Sequence, residues 1–284
     1  MLTRLRTYAS FVRISHSVFA LPFALAGAVL AARHTPVTWT TIGWILVAMV
    51  GARSAAMGFN RLVDARSDAL NPRTARRELP TGAMTRNEAI VFVSVASLVF
   101  VAAASQLNAV CLVLSPVALA IVFWYSLAKR YTTWTQLYLG LAMAVAPVGG
   151  WLAVGGGPGW EPWLLALAIG TWVGGFDVLY ACQDLEFDRT HRLHSIPVRF
   201  GVRGSLAISR ALHVVTIACL LALALVTPLG PIYFAGVFIV AALLAYEQSL
   251  VSAEDLSQVK LAFDLNGYVG ILYLVVLIVS LYGR

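Results

Sequence analysis

Asn60-Arg61-Leu62-Val63-Asp64-Ala65-Arg66-Ser67-Asp68 ends one membrane-length apolar segment, and Asp184-Leu185-Glu186-Phe187-Asp188 ends another. Each runs on into a long basic loop. Carboxylates beside lipid are costly, so two such clusters call for a compensating partner, divalent metal or substrate. An Asp-x3-Asp pair places both side chains on one helix face, about 6 Å apart along the axis. That spacing suits Mg²⁺, which takes few protein carboxylates and leaves room for phosphate oxygens. Two pairs facing each other would clamp one diphosphate through bridging metals.

Composition sets the frame around these motifs. The 284-residue chain is 60% hydrophobic and 12% charged, with a mean hydropathy of +0.82. A soluble domain carries about twice that charged fraction, so spanning segments must take up most of the length. The net charge of +7 does not point to nucleic acid. Apart from Arg33, Arg53 and Arg284, the Lys and Arg residues lie on the N-terminal arm, on alternate loops or at the helix ends beside them. This is the positive-inside pattern of a polytopic protein, with membrane lipid and a polyanionic small substrate as partners.

Nine spans of about 20 residues are expected, near 14–32, 40–60, 85–105, 109–127, 135–154, 162–182, 205–227, 231–249 and 262–282. Residues 1–32 share features with a signal peptide, Arg4, Arg6 and Arg13 preceding an apolar run. Eight further spans follow, so a retained first helix is expected. With the N-terminus in the cytoplasm, residues 61–86, Lys129-Arg130, 189–210 and Lys260 share one side. The opposite loops are short and nearly uncharged. Trp39, Trp151, Trp160 and Trp163 gather at that outer edge as an aromatic belt. Both acidic motifs fall on the cytoplasmic face. Cys111, Cys182 and Cys219 lack metal-ligand spacing and read as small core residues.

A short internal echo links the two motifs. Arg53, Asn60 and Asp64 are spaced 7 and 4, as are Asp177, Asp184 and Asp188. Each set forms a polar stripe on one helix face, suggesting two four-helix units plus one extra helix. Lys129 and Arg130 follow Trp124-Tyr125 on the motif side. They either clamp a departing diphosphate or set topology, and one role does not exclude the other. Arg73, Arg76 and Arg77 belong to a loop that covers the site or touches lipid. Arg53 and Asp177 lie deep, either paired with each other or with Arg53 holding the carboxylate of an aromatic acid. His191 and His194 are too loosely spaced for zinc and read as loop residues. Arg13 and His16 line the same cavity or anchor the chain.

At these residues the chain resembles the UbiA superfamily of intramembrane prenyltransferases. The resemblance is carried by Asn60-x3-Asp64-x3-Asp68, Tyr125-x3-Lys129-Arg130, and Asp184-x3-Asp188 followed by His194-Ser195-Ile196-Pro197 and Phe200-Gly201, and it extends to Ala262-Phe263-x-Leu265-Asn266. It implies one all-α domain over residues 1–284: nine transmembrane helices around a central cavity, two Mg²⁺ ions, and transfer of an isoprenoid from its diphosphate to an acceptor. Met57-Gly58-Phe59-Asn60-Arg61, Asn71-Pro72-Arg73-Thr74-Ala75 and Arg77-Glu78-Leu79-Pro80 resemble the quinone-biosynthesis branch, whose acceptors are 4-hydroxybenzoate or, in the futalosine route, 1,4-dihydroxy-6-naphthoate. Arg61 stands where many members carry Asp, and His16-Ser17 replaces Lys-Pro.

The resemblance implies electrophilic aromatic substitution at the cytoplasmic face of a prokaryotic inner membrane. Asn60, Asp64, Asp68, Asp184 and Asp188 would hold Mg²⁺, with Lys129 and Arg130 on the diphosphate. Tyr125 or Tyr180 would face the allylic cation. The rival reading is a secondary transporter, which more often places its polar residues at mid-membrane on broken helices. The Asp-Gly element characteristic of a membrane phosphotransferase is missing here, and a soluble prenyl diphosphate synthase is excluded by hydrophobicity.

Overall fold

A computed structural model describes residues 7–8, 10–12 and 21–283. Arg4, Arg6, Arg13, His16, Ser17 and Arg284, named above, lie outside the described residues. Every regular element described is helical: α1 (Leu21–Ala31), α2 (Trp39–Leu70), α3 (Arg86–Leu107), α4 (Ala109–Ala128), α5 (Thr135–Ala153), α6 (Glu161–Ala181), a 3₁₀ turn (Cys182–Asp184), α7 (Leu185–Thr190), α8 (Ile196–Val226), α9 (Pro231–Ser249) and α10 (Val259–Tyr282). Among the described residues, eight helical segments are long and apolar enough to cross a membrane, one of them α6 continued to Thr190. The shorter apolar α1 is the described part of the expected first span.

Local chemistry explains several of the ends. Thr38 caps α2 by accepting from the Thr41 N–H. Thr85 and Glu88 form a reciprocal capping box at the start of α3, which satisfies two amide donors that the helix cannot. Ser195 caps α8, with Pro197 in its first turn, where a missing N–H costs nothing. That segment, residues 196–204, was expected to be loop. It is helical up to a break at Gly201, where φ is 65°, a backbone conformation that favours glycine.

The helices sort into two compact units, described separately. The first comprises residues 1–18 and 38–127, hence α2, α3 and α4. Phe11 and Val12 pack there with Leu62, Met84, Ala89 and Val93, and Phe59 of α2 stacks on Phe123 of α4 at 4.5 Å. The second comprises residues 19–37 and 128–284, hence α1 and α5 to α10. Here α1 crosses α5 so closely that a Cβ at Gly150 would overlap the Ala24 carbonyl, and one at Gly27 the Pro147 carbonyl. Small residues at such crossings bring backbones together where no hydrophobic drive operates between helices. The expected division into four, four and one helices does not hold, because α1 belongs with α5 to α10.

Two further expectations change. Trp151 is 3% exposed and donates its indole N–H to the Gly157 carbonyl at 3.0 Å, so it is a core residue that folds the following turn. Trp39, Trp160 and Trp163 are exposed as a belt requires. Cys182 and Cys219 are buried, whereas Cys111 is only half-buried.

Candidate functional site

In the first unit, α2 runs unbroken through its polar motif, which had been placed at the edge of a loop. Asn60, Asp64 and Asp68 therefore occupy successive turns of one face. Asp64 is 3% exposed and Asp68 6%, so both carboxylates leave bulk water and need partners within the protein or a ligand. The Asn60 amide donates Nδ2–H to Asp64 Oδ2 at 3.2 Å. Arg77 Nη1 donates to Asp68 Oδ2 at 2.7 Å, and the Thr74 hydroxyl donates to the Asp68 carbonyl at 3.0 Å. The loop after α2 thus folds back onto the motif.

Two neighbouring contacts went unforeseen. Arg61, buried, donates to Glu78 Oε2 at 3.3 Å, and the Ser10 hydroxyl donates to Glu78 Oε1 at 2.5 Å. Arg73 and Arg76 are exposed, Arg77 half-buried. Deeper in α2, half-buried Arg53 has Tyr125 of α4 as an electrostatic neighbour.

The second unit presents its acids on a broken segment. α6 ends at Ala181, the 3₁₀ turn closes on Asp184, and the six-residue α7 carries Asp188. Asp184 and Asp188 do not sit on one continuous α-helix, contrary to the geometry read from their spacing. Both are half-buried. Asp177, one helix segment earlier, has Asp184 as its charged neighbour. The loop that follows is tied back by backbone bonds: the Leu193 N–H to the Asp188 carbonyl at 2.9 Å and the His194 N–H to the Lys129 carbonyl at 2.8 Å. The Ile196 N–H reaches Gln136 Oε1 at 3.2 Å. Lys129 is thereby joined, through its carbonyl, to the loop that follows the second acidic motif. His191 is a loop residue as expected, its ring stacked on Phe187 at 4.0 Å.

An aromatic column also lines α6. Trp172, Phe176 and Tyr180 recur every four residues, with ring centroids 5.4 Å apart for Trp172–Phe176, 5.5 Å for Phe176–Phe263 and 4.6 Å for Tyr180–Phe263. Trp172 donates its indole N–H to Asn266 Oδ1 at 2.7 Å, fixing α6 against α10. The four-residue period of the three rings was visible in the sequence, and only Tyr180 was singled out from it.

Among the described residues, no group of three or more His, Cys, Asp or Glu side chains converges as a ready-made metal cage. Mg²⁺ does not ask for one, since one or two carboxylates, waters and phosphate oxygens complete its shell. The candidate donors are an Asn amide oxygen and Asp carboxylates, a hard, all-oxygen set that fits this ion.

Membrane-length helices carrying two acidic segments beside basic loops define a polytopic helical membrane protein. Residues 20–275 match the sequence profile of the UbiA prenyltransferase family, and the chain belongs to that family. It is similar to the 4-hydroxybenzoate octaprenyltransferase of Vibrio campbellii, with 30% identity over 252 residues covering 89% of this chain and 88% of that one. The Vibrio parahaemolyticus protein of the same name is 31% identical over 252 residues, with the same coverage. Among solved structures, the apo form of a UbiA homolog from Aeropyrum pernix K1 is 36% identical with a TM-score of 0.86, covering 94% of this chain and 98% of that one. A UbiA homolog from Archaeoglobus fulgidus bound to DMAPP and Mg²⁺ shares the fold, with 19% identity, a TM-score of 0.75, and coverage of 95% and 99%.

Proposed function

We propose that this family member transfers a polyprenyl group from its diphosphate to a hydroxylated aromatic acid, in quinone biosynthesis. The observation that carries the reading is the pair of buried carboxylates, Asp64 and Asp68, one turn apart near the end of a membrane-length helix. A secondary transporter more often places its acids at mid-membrane on broken helices, whereas a metal–diphosphate complex calls for acids at such a position. The relatives named for 4-hydroxybenzoate favour an acceptor with a carboxylate and a ring hydroxyl. Residues 57–61, 71–75 and 77–80 resemble both the 4-hydroxybenzoate branch and the 1,4-dihydroxy-6-naphthoate subgroup, and both acids share that recognition chemistry.

Asn60, Asp64, Asp68, Asp184 and Asp188 would hold Mg²⁺, two ions on this reading; the Archaeoglobus fulgidus homolog of the same fold is bound to DMAPP and Mg²⁺. When bound, the metal neutralises charge that builds on the departing diphosphate. The chain's own residues do the rest. Lys129 and Arg130 bind diphosphate oxygens, and Arg53 holds the acceptor carboxylate by a two-pronged hydrogen bond. Tyr125 and Tyr180 offer ring faces to the allylic cation, and Asp177 orients the acceptor. The allylic C–O bond breaks, the ring carbon forms the new C–C bond, and the ring regains aromaticity by losing its proton. Enclosing helices exclude water, which would otherwise capture the cation. The site faces the cytoplasm across a prokaryotic inner membrane, with the N-terminus on the same side, and residues 1–284 act as one domain.

The test is product analysis by mass spectrometry. Purified protein is given prenyl diphosphates of several lengths with 4-hydroxybenzoate and, separately, 1,4-dihydroxy-6-naphthoate. A prenylated acid whose formation stops with EDTA and returns with Mg²⁺ is expected. Formation of free prenyl alcohol alone, or of no product from either acid, would overturn the reading.

A further inference from the structure

Residues 71–85 are fastened to α2 by two consecutive residues of opposite charge. Arg77 reaches Asp68 at 2.7 Å, and Glu78 reaches Arg61 at 3.3 Å. Positions 61 and 68 are seven residues apart, so they share one stripe of the helix, about 10 Å from each other along its axis. The loop backbone is therefore held along the motif face at two points.

The Glu78 point has the character of a fixed anchor. Its side chain is 12% exposed and that of Arg61 4%, and its two oxygens are both engaged, one by Arg61 and one by the Ser10 hydroxyl. Leu79 and Met84 of the same loop pack with Phe11 and Leu62, which seals the pair from water. A buried ion pair is a poor stabiliser in itself, because apolar residues of similar volume often serve as well. What it adds is a directional bond of fixed length. The adjacent Arg77 contact differs: Arg77 is 19% exposed, and its partner belongs to the proposed metal-binding set.

We infer that Arg61, Glu78 and Ser10 form a clasp that positions the arginine-bearing loop, so that Arg77 stands at Asp68 ready to meet the diphosphate. The three are positioning residues, acting through Arg77. This inference deepens the proposed function and rests on it.

The experiment uses the purified full-length chain and the variants Glu78→Gln, Arg77→Gln and their combination. Glu78→Gln should raise the KM for prenyl diphosphate about tenfold, the scale of one charge-assisted contact, with the KM for the acid little changed. The combined variant should have a KM no higher than Arg77→Gln alone, since both act through one group. Without any ligand, trypsin should cut after Arg73 and Arg76 faster in Glu78→Gln than in wild type. The exchanged pair Arg61→Glu with Glu78→Arg should return the loop toward wild-type protection, which keeps the test decisive where a single variant folds poorly. Multiplying KM effects would overturn the clasp. So would a Glu78→Gln protein with lowered Tm but wild-type KM and tryptic pattern. If the wild type transfers no prenyl group, the proposed function fails, and the ligand-free tryptic comparison still decides the clasp.

Discussion

The two acidic segments have the same spacing and different backbones. In the first, α2 continues without interruption to Leu70, so Asn60, Asp64 and Asp68 are set by helix geometry, the two acids buried and Asn60 half-buried. In the second, the helix stops at Ala181 and restarts after a 3₁₀ turn, so Asp184 and Asp188 lie on separate short elements, and the loop that follows them is tied to Lys129 and Gln136. A period of four residues fixes side-chain geometry only while the α-helix lasts. The first segment is one continuous rail and the second an arm that follows a 3₁₀ turn. A 3₁₀ insertion of this kind is a common mark of a functional hinge.

The largest effect comes from removing either region's acid. Asp64→Ala and Asp184→Ala should each lower kcat at saturating Mg²⁺ by about a thousandfold or more, while the protein still inserts and gives a cooperative melt. Near-normal turnover in either would break the claim that both segments serve the reaction.

Lengthening the side chain sharpens the contrast. Asp64→Glu pushes a carboxylate about 1.5 Å further from a backbone that cannot move, whereas Asp188→Glu sits on six residues that can. Turnover should fall about a hundredfold in the first and much less in the second. Equal losses would mean that the second segment is as rigid as the first.

Arg53 and Asp177, the deep members of the two stripes, extend the comparison. As an acceptor ligand, Arg53→Lys should raise the acid's KM about tenfold or more, because an ammonium cannot reproduce the planar contact. Diphosphate affinity should hold. If Arg53 only neutralises Asp177, single removals should cost about 3–5 kcal/mol of stability, and Arg53→Met with Asp177→Asn should restore both Tm and acceptor binding. Thermal melts beside acceptor titrations separate these outcomes.

The smallest effect is expected at Lys129. Lys129→Ala should raise the KM for prenyl diphosphate by about fivefold, with acceptor KM unchanged. Unaltered kinetics and a lower yield of inserted protein would instead assign Lys129 to topology.

Much of this was legible in the chain because lipid imposes a coarse rule. Apolar runs of about 20 residues mark spans, and eight described helices fall where those runs lie. The ends were less legible. Residues 61–70 are polar, which reads as loop, yet they continue α2 because its i to i+4 bonds and the folded-back Arg77 support them. Residues 196–204 carry Arg199, Phe200 and Gly201 in a mixture that hides a helix begun by Ser195 and Pro197. Trp151 looked like an interface residue because composition cannot show that its indole closes a turn on Gly157. At the site, the acids, Lys129 and Arg53 could be picked out by charge in an apolar setting. The Arg61–Glu78 pair, the Gln136 tether and the Trp172–Asn266 bond join residues distant in sequence or lacking charge, so no local pattern announces them.

We propose that the two acidic segments serve one diphosphate. Equilibrium binding of an unreactive prenyl thiodiphosphate, titrated with Mg²⁺, tests it in wild type, Asp64→Asn, Asp184→Asn and the double variant. Shared grip predicts that each single change abolishes most of the Mg²⁺-dependent affinity and that the double is no weaker than either single. Losses in the two singles that add in free energy in the double would show two independent sites and contradict the account.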